Sequence, residues 1–221
     1  MGPQSQKLIP CDFRVYDKPT DGATKNDHFR QMLRTARMRG FHPAYVLFDG
    51  WYASLENLKL IHSFRWHFFT RLKANRLVNP DGEGNVPISE VLIPPNGRRV
   101  HLRGFGFIKT FRTLKADGEV QYWATNELDM PTTRREHLAK KSWGIETYHR
   151  GLKQCCGVER AQVRVTRSII THIGLSIRAF LRLEVHRIHS GLSWYASKAS
   201  IVRDAVRAYL AQPRFILEST A

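Results

Sequence analysis

Tyr45-Val-Leu-Phe-Asp-Gly-Trp-Tyr-Ala-Ser-Leu-Glu-Asn-Leu-Lys-Leu-Ile-His-Ser-Phe-Arg-Trp-His-Phe-Phe-Thr-Arg-Leu72 contains the pattern that decides the fold. Tyr45 to Phe48 is a short apolar run with the length and composition of a buried strand. Asp49 closes it, and Ser54 opens a helix carrying Leu55, Leu58 and Ile61 on one side. Trp66 to Leu72 returns to alternation. Strand, helix and strand form a βαβ unit, whose parallel strands place ligands at their carboxyl ends. Asp49 stands at such an end.

Outward from this unit, Thr24-Lys-Asn-Asp27 reads as a capping box before a helix with Phe29, Met32, Leu33 and Ala36 on one face and Gly40 beyond its end. Upstream, Leu8 to Tyr16 alternates loosely and is expected to be a strand. Beyond Asn79 the turn signals Pro80-Asp-Gly, Pro94-Pro-Asn-Gly97 and Asp117-Gly118 separate short alternating runs, giving an all-β insertion over 79–126. Thr133-Arg-Arg-Glu136 is a second capping-box pattern and should start a helix running to about Cys155, with Gly144 and Gly151 inside it. Val165 to Ile188 is apolar on most sides, as in a core helix, and Ala199 to Leu210 is amphipathic. The expected class is α/β. A first part spans 1–78, the β-rich insertion 79–126, and a Glu-bearing helix with further C-terminal helices 127–221.

Charge restricts the partner. The chain has 35 Lys+Arg against 19 Asp+Glu, a net charge of +16, and 42% hydrophobic residues. It has enough apolar material for a core, and its charge excess implies an extended anionic partner, nucleic acid before membrane. Cys155 and Cys156 are adjacent and Cys11 is remote, so neither a disulfide framework nor a Cys-x-x-Cys metal site is indicated. With no apolar leader or membrane-length run, the expected compartment is the cytoplasm.

Two carboxylates and a set of cations could carry chemistry. Asp49 precedes a glycine, which leaves room for a metal ion and a phosphate; an Asp at a strand end equally starts a turn. Glu146 and Lys153, seven apart, share a helix face with His149 and Arg150 on it or at its edge. That arrangement suits a metal beside a DNA phosphate, and it also suits an ordinary solvated face. Arg71, Lys73 and Asn75 fall on one face if strand alternation persists, with Arg76 following. Arg98 and Arg99 begin an acid-free basic stretch. Such cations follow a phosphate backbone with strong salt dependence.

Five segments add up to a resemblance: Ile9–Lys18, Thr24–Phe29, Val46–Lys59, Thr70–Arg76 and Trp143–Lys153. Together they resemble bacterial insertion-sequence transposases of the DDE type, in the subgroup with a β-rich insert between the second Asp and the Glu. The resemblance implies a ribonuclease H-like fold, with a mixed sheet flanked by helices. It also implies a three-carboxylate site for Mg²⁺ or Mn²⁺, cleavage at transposon ends and strand transfer into target DNA. The partners implied are double-stranded DNA and further copies of the protein on that DNA, in a nucleoid setting.

Asp49 matches the second Asp, Glu146 the Glu, and Lys153 the lysine of the family's Tyr-Arg-Glu-Lys signature. The signature's Tyr and Arg would fall at Ala139 and Ser142, a departure from the pattern. The family's first Asp lies on a strand upstream of the segment that begins here at Leu8. The expectation is therefore an N-terminally truncated transposase with little strand transfer of its own. The alternative is an inactive DNA-binding remnant that inhibits an intact transposase.

Overall fold

A computed structural model describes residues 7–213. They fall into two compact units, one over Asp12–Ser142, the other formed by residues 7–11 with residues 143–213.

In the larger unit a short helix α1 (Lys18–Asp21) precedes α2 (Lys25–Met38). The capping box at the start of α2 is present in full, with Thr24 accepting from the Asp27 N–H and Asp27 from the Thr24 N–H. Strand β1 (Tyr45–Phe48), helix α3 (Leu55–Ser63) and strand β2 (His67–Leu72) form the expected βαβ unit, with β1 and β2 parallel and Phe48 opposite Thr70. Ser54 caps α3 by accepting from the Asn57 N–H at 3.4 Å.

The small pair β3 (Leu77–Val78) and β4 (Val86–Pro87) is antiparallel. Then β5 (Arg98–Leu102), β6 (Gly106–Leu114) and β7 (Val120–Thr125) form a meander that hydrogen-bonds to β2, giving the order β1-β2-β7-β6-β5. The result is a mixed five-stranded sheet.

Period-two alternation distributes each strand between two faces. Phe48, Phe68, Leu72, Tyr122 and Ala124 join Leu33 of α2 and Leu58 and Ile61 of α3 in one core. On the other face Phe69, Phe111 and Trp123 join Met130 and Leu138, the latter from α4 (Thr132–Ser142). Phe69 and Trp123 stack with centroids 4.8 Å apart. Helices on both faces of a mixed sheet, with a helical C-terminal part, are consistent with a ribonuclease H-like fold.

The smaller unit holds α5 (Gly144–Cys156), α6 (Thr166–Ser190) and α7 (Trp194–Ala211). Phe180 of α6 is fully buried, packing edge-on against Tyr148 of α5 and Trp194 of α7. Gly151 is the contact point: a Cβ there would lie 2.8 Å from Phe180 Cε2 and 3.0 Å from Trp194. Glu184, 1% exposed, accepts from the Arg187 guanidinium, from Trp194 Nε1 at 2.7 Å and from the Leu8 N–H at 2.9 Å.

Four local expectations are corrected. Leu8 to Tyr16 is not a strand. The Leu8 and Phe13 N–H groups bond to carboxylates, and Pro10 has no N–H to give to a ladder. The helix expected from Thr133 to about Cys155 is two helices, interrupted at Trp143. There the Ser142 and Thr147 hydroxyls donate to the Ala139 and Trp143 carbonyls, a competition with the helical ladder that Gly144 aggravates. Thr133 lies inside α4, so its capping box does not form, and Glu136 instead pairs with Arg135.

Against the expectation for Val165 to Ile188, α6 is no core helix. Its buried residues, Ser176, Phe180, Leu183 and Glu184, make a single stripe, and Leu175 and Val185 remain more than half exposed. Among the described residues no helix is long and apolar enough to cross a membrane.

Candidate active site and cationic cleft

Asp49 stands immediately beyond β1, where the chain leaves the sheet for a 3₁₀ turn over Gly50–Tyr52. Its Oδ1 accepts the Trp51 N–H at 2.9 Å, so it does cap that turn. Its Oδ2 accepts Arg71 Nη2 at 2.9 Å, and half of the side chain stays exposed. A carboxylate has about four acceptor positions, so both oxygens keep capacity for a further ligand.

Three contacts fix this corner. The buried Thr70 hydroxyl donates to the Phe48 carbonyl at 2.8 Å, tying β1 to β2 one residue before Asp49. Gly50 passes so close to β2 that an added Cβ would lie 2.8 Å from the Arg71 carbonyl oxygen. Its lack of a side chain therefore serves the approach of two backbones, where the sequence suggested room for a ligand. Asn57, fully buried in α3, donates from Nδ2 to the Tyr52 carbonyl and to Asn26 Oδ1, both at 2.8 Å, and accepts from Arg30 at 3.1 Å. Sequence motifs alone do not point to Asn57. The available signal was a polar residue on the stripe that also carries Leu58 and Ile61.

The cations near Asp49 are arranged differently from the alternation assumed for them. β2 ends at Leu72, and Lys73 to Arg76 turn away, with the Arg76 N–H donating to the Lys73 carbonyl at 2.9 Å. Lys73 nonetheless shares with Asp49 and Arg71 a cleft of about 300 Å³, also lined by Glu119 and Gln121. A larger cleft of about 470 Å³ adjoins the same turn, lined by Trp51, Lys73, Asn75, Arg76 and Arg103 among others.

Arg98 and Arg99 lie on β5, at the opposite edge of the sheet from β1. Arg98 donates to the Leu92 carbonyl, and Arg99 to the Leu128 carbonyl and the Asp129 carboxylate. Sequence pattern gives no role to Trp51, which is 75% exposed and follows Asp49 by two positions.

Glu146 lies in the first turn of α5, in the smaller unit, exposed along with His149, Arg150 and Lys153. The buried face of this helix is Gly151, Leu152 and Cys155, which leaves the charged residues to solvent. Lys153 pairs with Glu159 at 2.6 Å, and both side chains are more than half exposed. A pair this open contributes little to stability, so Lys153 exchanges partners readily.

Asp49 and Glu146 offer the hard oxygen donors that Mg²⁺ and Mn²⁺ select, and both are accessible, so the donor type fits such an ion. Among the described residues, no three His, Cys, Asp or Glu side chains gather into one metal-binding group.

No curated protein matches the chain. The family model of the transposase DDE domain matches residues 10–181, a span that includes the whole sheet, Asp49, Glu146 and most of α6. With the mixed sheet and its strand-end carboxylate in place, that match over most of the chain makes this protein a member of the transposase DDE domain family.

Proposed function

We propose that the chain works at phosphodiester bonds of transposon-end DNA, with Asp49 and Glu146 as carboxylate ligands for Mg²⁺ or Mn²⁺. Family membership implies DNA as partner and nuclease or strand-transfer activity in general. One observation carries the finer reading: Asp49 is a half-exposed carboxylate at the carboxyl end of a parallel strand, bordered by cation-lined clefts. Asp49 would hold a divalent ion there, and that ion would supply polarisation of the phosphoryl oxygen and activation of the attacking hydroxyl.

The chain's own side chains supply position and charge. Asp49 stays oriented by the Trp51 N–H while Arg71, released from it, meets a phosphate oxygen. Lys73 and Arg76 extend that contact along the strand. His149, Arg150 and Lys153 on α5 do the same beside Glu146, and Arg98 and Arg99 hold DNA at the far edge of the sheet. Further copies of the chain assemble on the DNA, where transposon ends and target must meet.

The test is nicking of supercoiled plasmid and of duplexes carrying candidate end sequences, with Mg²⁺, Mn²⁺ or EDTA. Metal-dependent cutting abolished by both Asp49→Asn and Glu146→Gln supports the reading. Cutting that both variants retain refutes it.

A second reading, DNA binding without cleavage and inhibition of an active transposase, is favoured by the double engagement of Asp49 with Arg71 and the Trp51 N–H. It expects salt-sensitive DNA binding, no cutting under any metal, and reduced activity of an intact transposase mixed with this chain.

A further inference from the structure

We infer that the cleft beside Asp49 takes an unpaired nucleotide of the DNA strand, with its base stacked on Trp51 and its phosphates on Lys73, Arg76 and Arg103. This rests on DNA being the partner and adds a subsite to the proposed site.

The cleft has about 470 Å³, within the range of sites that enclose small ligands. Three of its lining residues are cationic and none is acidic, so its occupant is anionic. Asn75 and Ser54 add polar groups able to meet base edges or sugar oxygens.

The remaining feature is the Trp51 ring at the edge. Lys73 Nζ lies 5.3 Å from its centroid, yet 75% of the residue stays exposed, so most of the plate faces solvent. A flexible exposed tryptophan would be an unremarkable surface residue. The backbone that carries this one is fixed. The Asp49 carboxylate holds its N–H, and Gly50 before it is fixed by close approach to the Arg71 carbonyl. The ring is therefore an apolar plate carried on fixed backbone two residues from the carboxylate, with the Lys73 ammonium against it and Arg76 and Arg103 lining the same cleft.

An anion carrying a flat aromatic group is the ligand that uses all of these features, and a nucleotide is that ligand. Inside duplex DNA both faces of a base are already covered by its neighbours, so a base that stacks on a side chain has to leave the helix. The cleft thus selects a nucleotide from a frayed end, an overhang or an extrahelical position. Base–aromatic stacking is insensitive to base identity.

The test compares binding of fluorescein-labelled duplexes that are blunt or carry a single-stranded thymidine overhang, in EDTA so that no cutting intervenes. Wild type is expected to prefer the overhang, Trp51→Phe to keep that preference, and Trp51→Ala to lose it by roughly ten- to a hundredfold while binding blunt duplex as wild type does. Because Trp51 is so exposed, Trp51→Ala should fold, and circular dichroism checks that it has. Equal binding of overhang and blunt duplex by wild type, or an unchanged preference in Trp51→Ala, overturns the inference.

The subsite and the metal chemistry fail separately. Loss of overhang preference in Trp51→Ala without any plasmid nicking leaves the subsite standing. Asp49-dependent nicking with no overhang preference removes it alone.

Discussion

Arg71 reaches across the parallel β1–β2 pair to place its Nη2 2.9 Å from the Asp49 carboxylate. The guanidinium also lies 6.0 Å from the Trp123 ring centroid. Both partners are more than a third exposed, so the pair contributes at most about 1 kcal/mol to folding. Arg71→Met should therefore leave the urea midpoint nearly unchanged. It should also remove a cation that competes for Asp49, and calorimetric titration with Mn²⁺ is expected to show tighter binding than in wild type.

Gly50→Ala and Asn57→Ala disturb the same corner by different means. The new methyl group in Gly50→Ala meets the Arg71 carbonyl oxygen at 2.8 Å, and relief requires movement of backbone. The expected loss is about 1–3 kcal/mol, as for an overpacked site. Asn57→Ala leaves the Tyr52 carbonyl and the Asn26 and Arg30 side chains without their buried partner, at about 1–3 kcal/mol. Chemical denaturation of the two variants checks both values.

Gly151→Ala and Gly174→Ala should move stability in opposite directions. Both glycines lie within helices, where alanine is favoured by about 1 kcal/mol. Nothing stands within 4 Å of an added Cβ at Gly174, so that gain should appear as a raised Tm. At Gly151 the methyl group enters the Phe180 and Trp194 rings, and the clash should outweigh the gain.

Glu184 and Asp27 shape the expected response to low pH, together with Glu56, whose pKa is also lowered, first by its backbone N–H bond. Burial opposes ionisation of Glu184, but its bonds from Arg187, Leu8 and Trp194 outweigh this and hold its pKa below the usual carboxylate value. Asp27 is drawn down from 3.8 to about 2, first by its side-chain bond with Thr24. A carboxylate whose pKa falls on folding stabilises the fold above its unfolded pKa and loses that contribution as pH drops through the folded one. Stability should accordingly be flat from neutrality down to about pH 5 and fall below it. Thr24→Ala should flatten the part of the fall between 3.8 and about 2. Glu184→Ala should cost about 3–5 kcal/mol at neutral pH and remove its own share of the acid dependence.

Legibility in the sequence depended on whether a pattern completes itself locally. The βαβ unit from Tyr45 to Leu72 and the Thr24–Asp27 box need only their own residues, and both could be read in advance. Leu8 to Tyr16 alternates just as a strand does, but a strand also needs a neighbour to pair with, and the sequence does not show one. The apolar residues of α6 give composition but not burial, since the number of neighbours that cover a helix is a tertiary matter. The same holds for Gly50 and Gly151, whose reasons for being glycine are atoms distant in the chain. At the site, the position of Asp49 at a strand end was legible; its engagement by Arg71, and the cleft below Trp51, depend on the turn after Leu72 that cut short the expected alternation.

The placement of β2 between β1 and β7 has a kinetic consequence. Its parallel partner is one helix away in the chain, whereas its antiparallel partner is the last strand of the meander. Closing the shorter loop loses less chain entropy, so the corner bearing Asp49 can assemble first and offer β2 as a template for β7. Once both neighbours are docked, the β2 amides should exchange with deuterium among the slowest in the molecule.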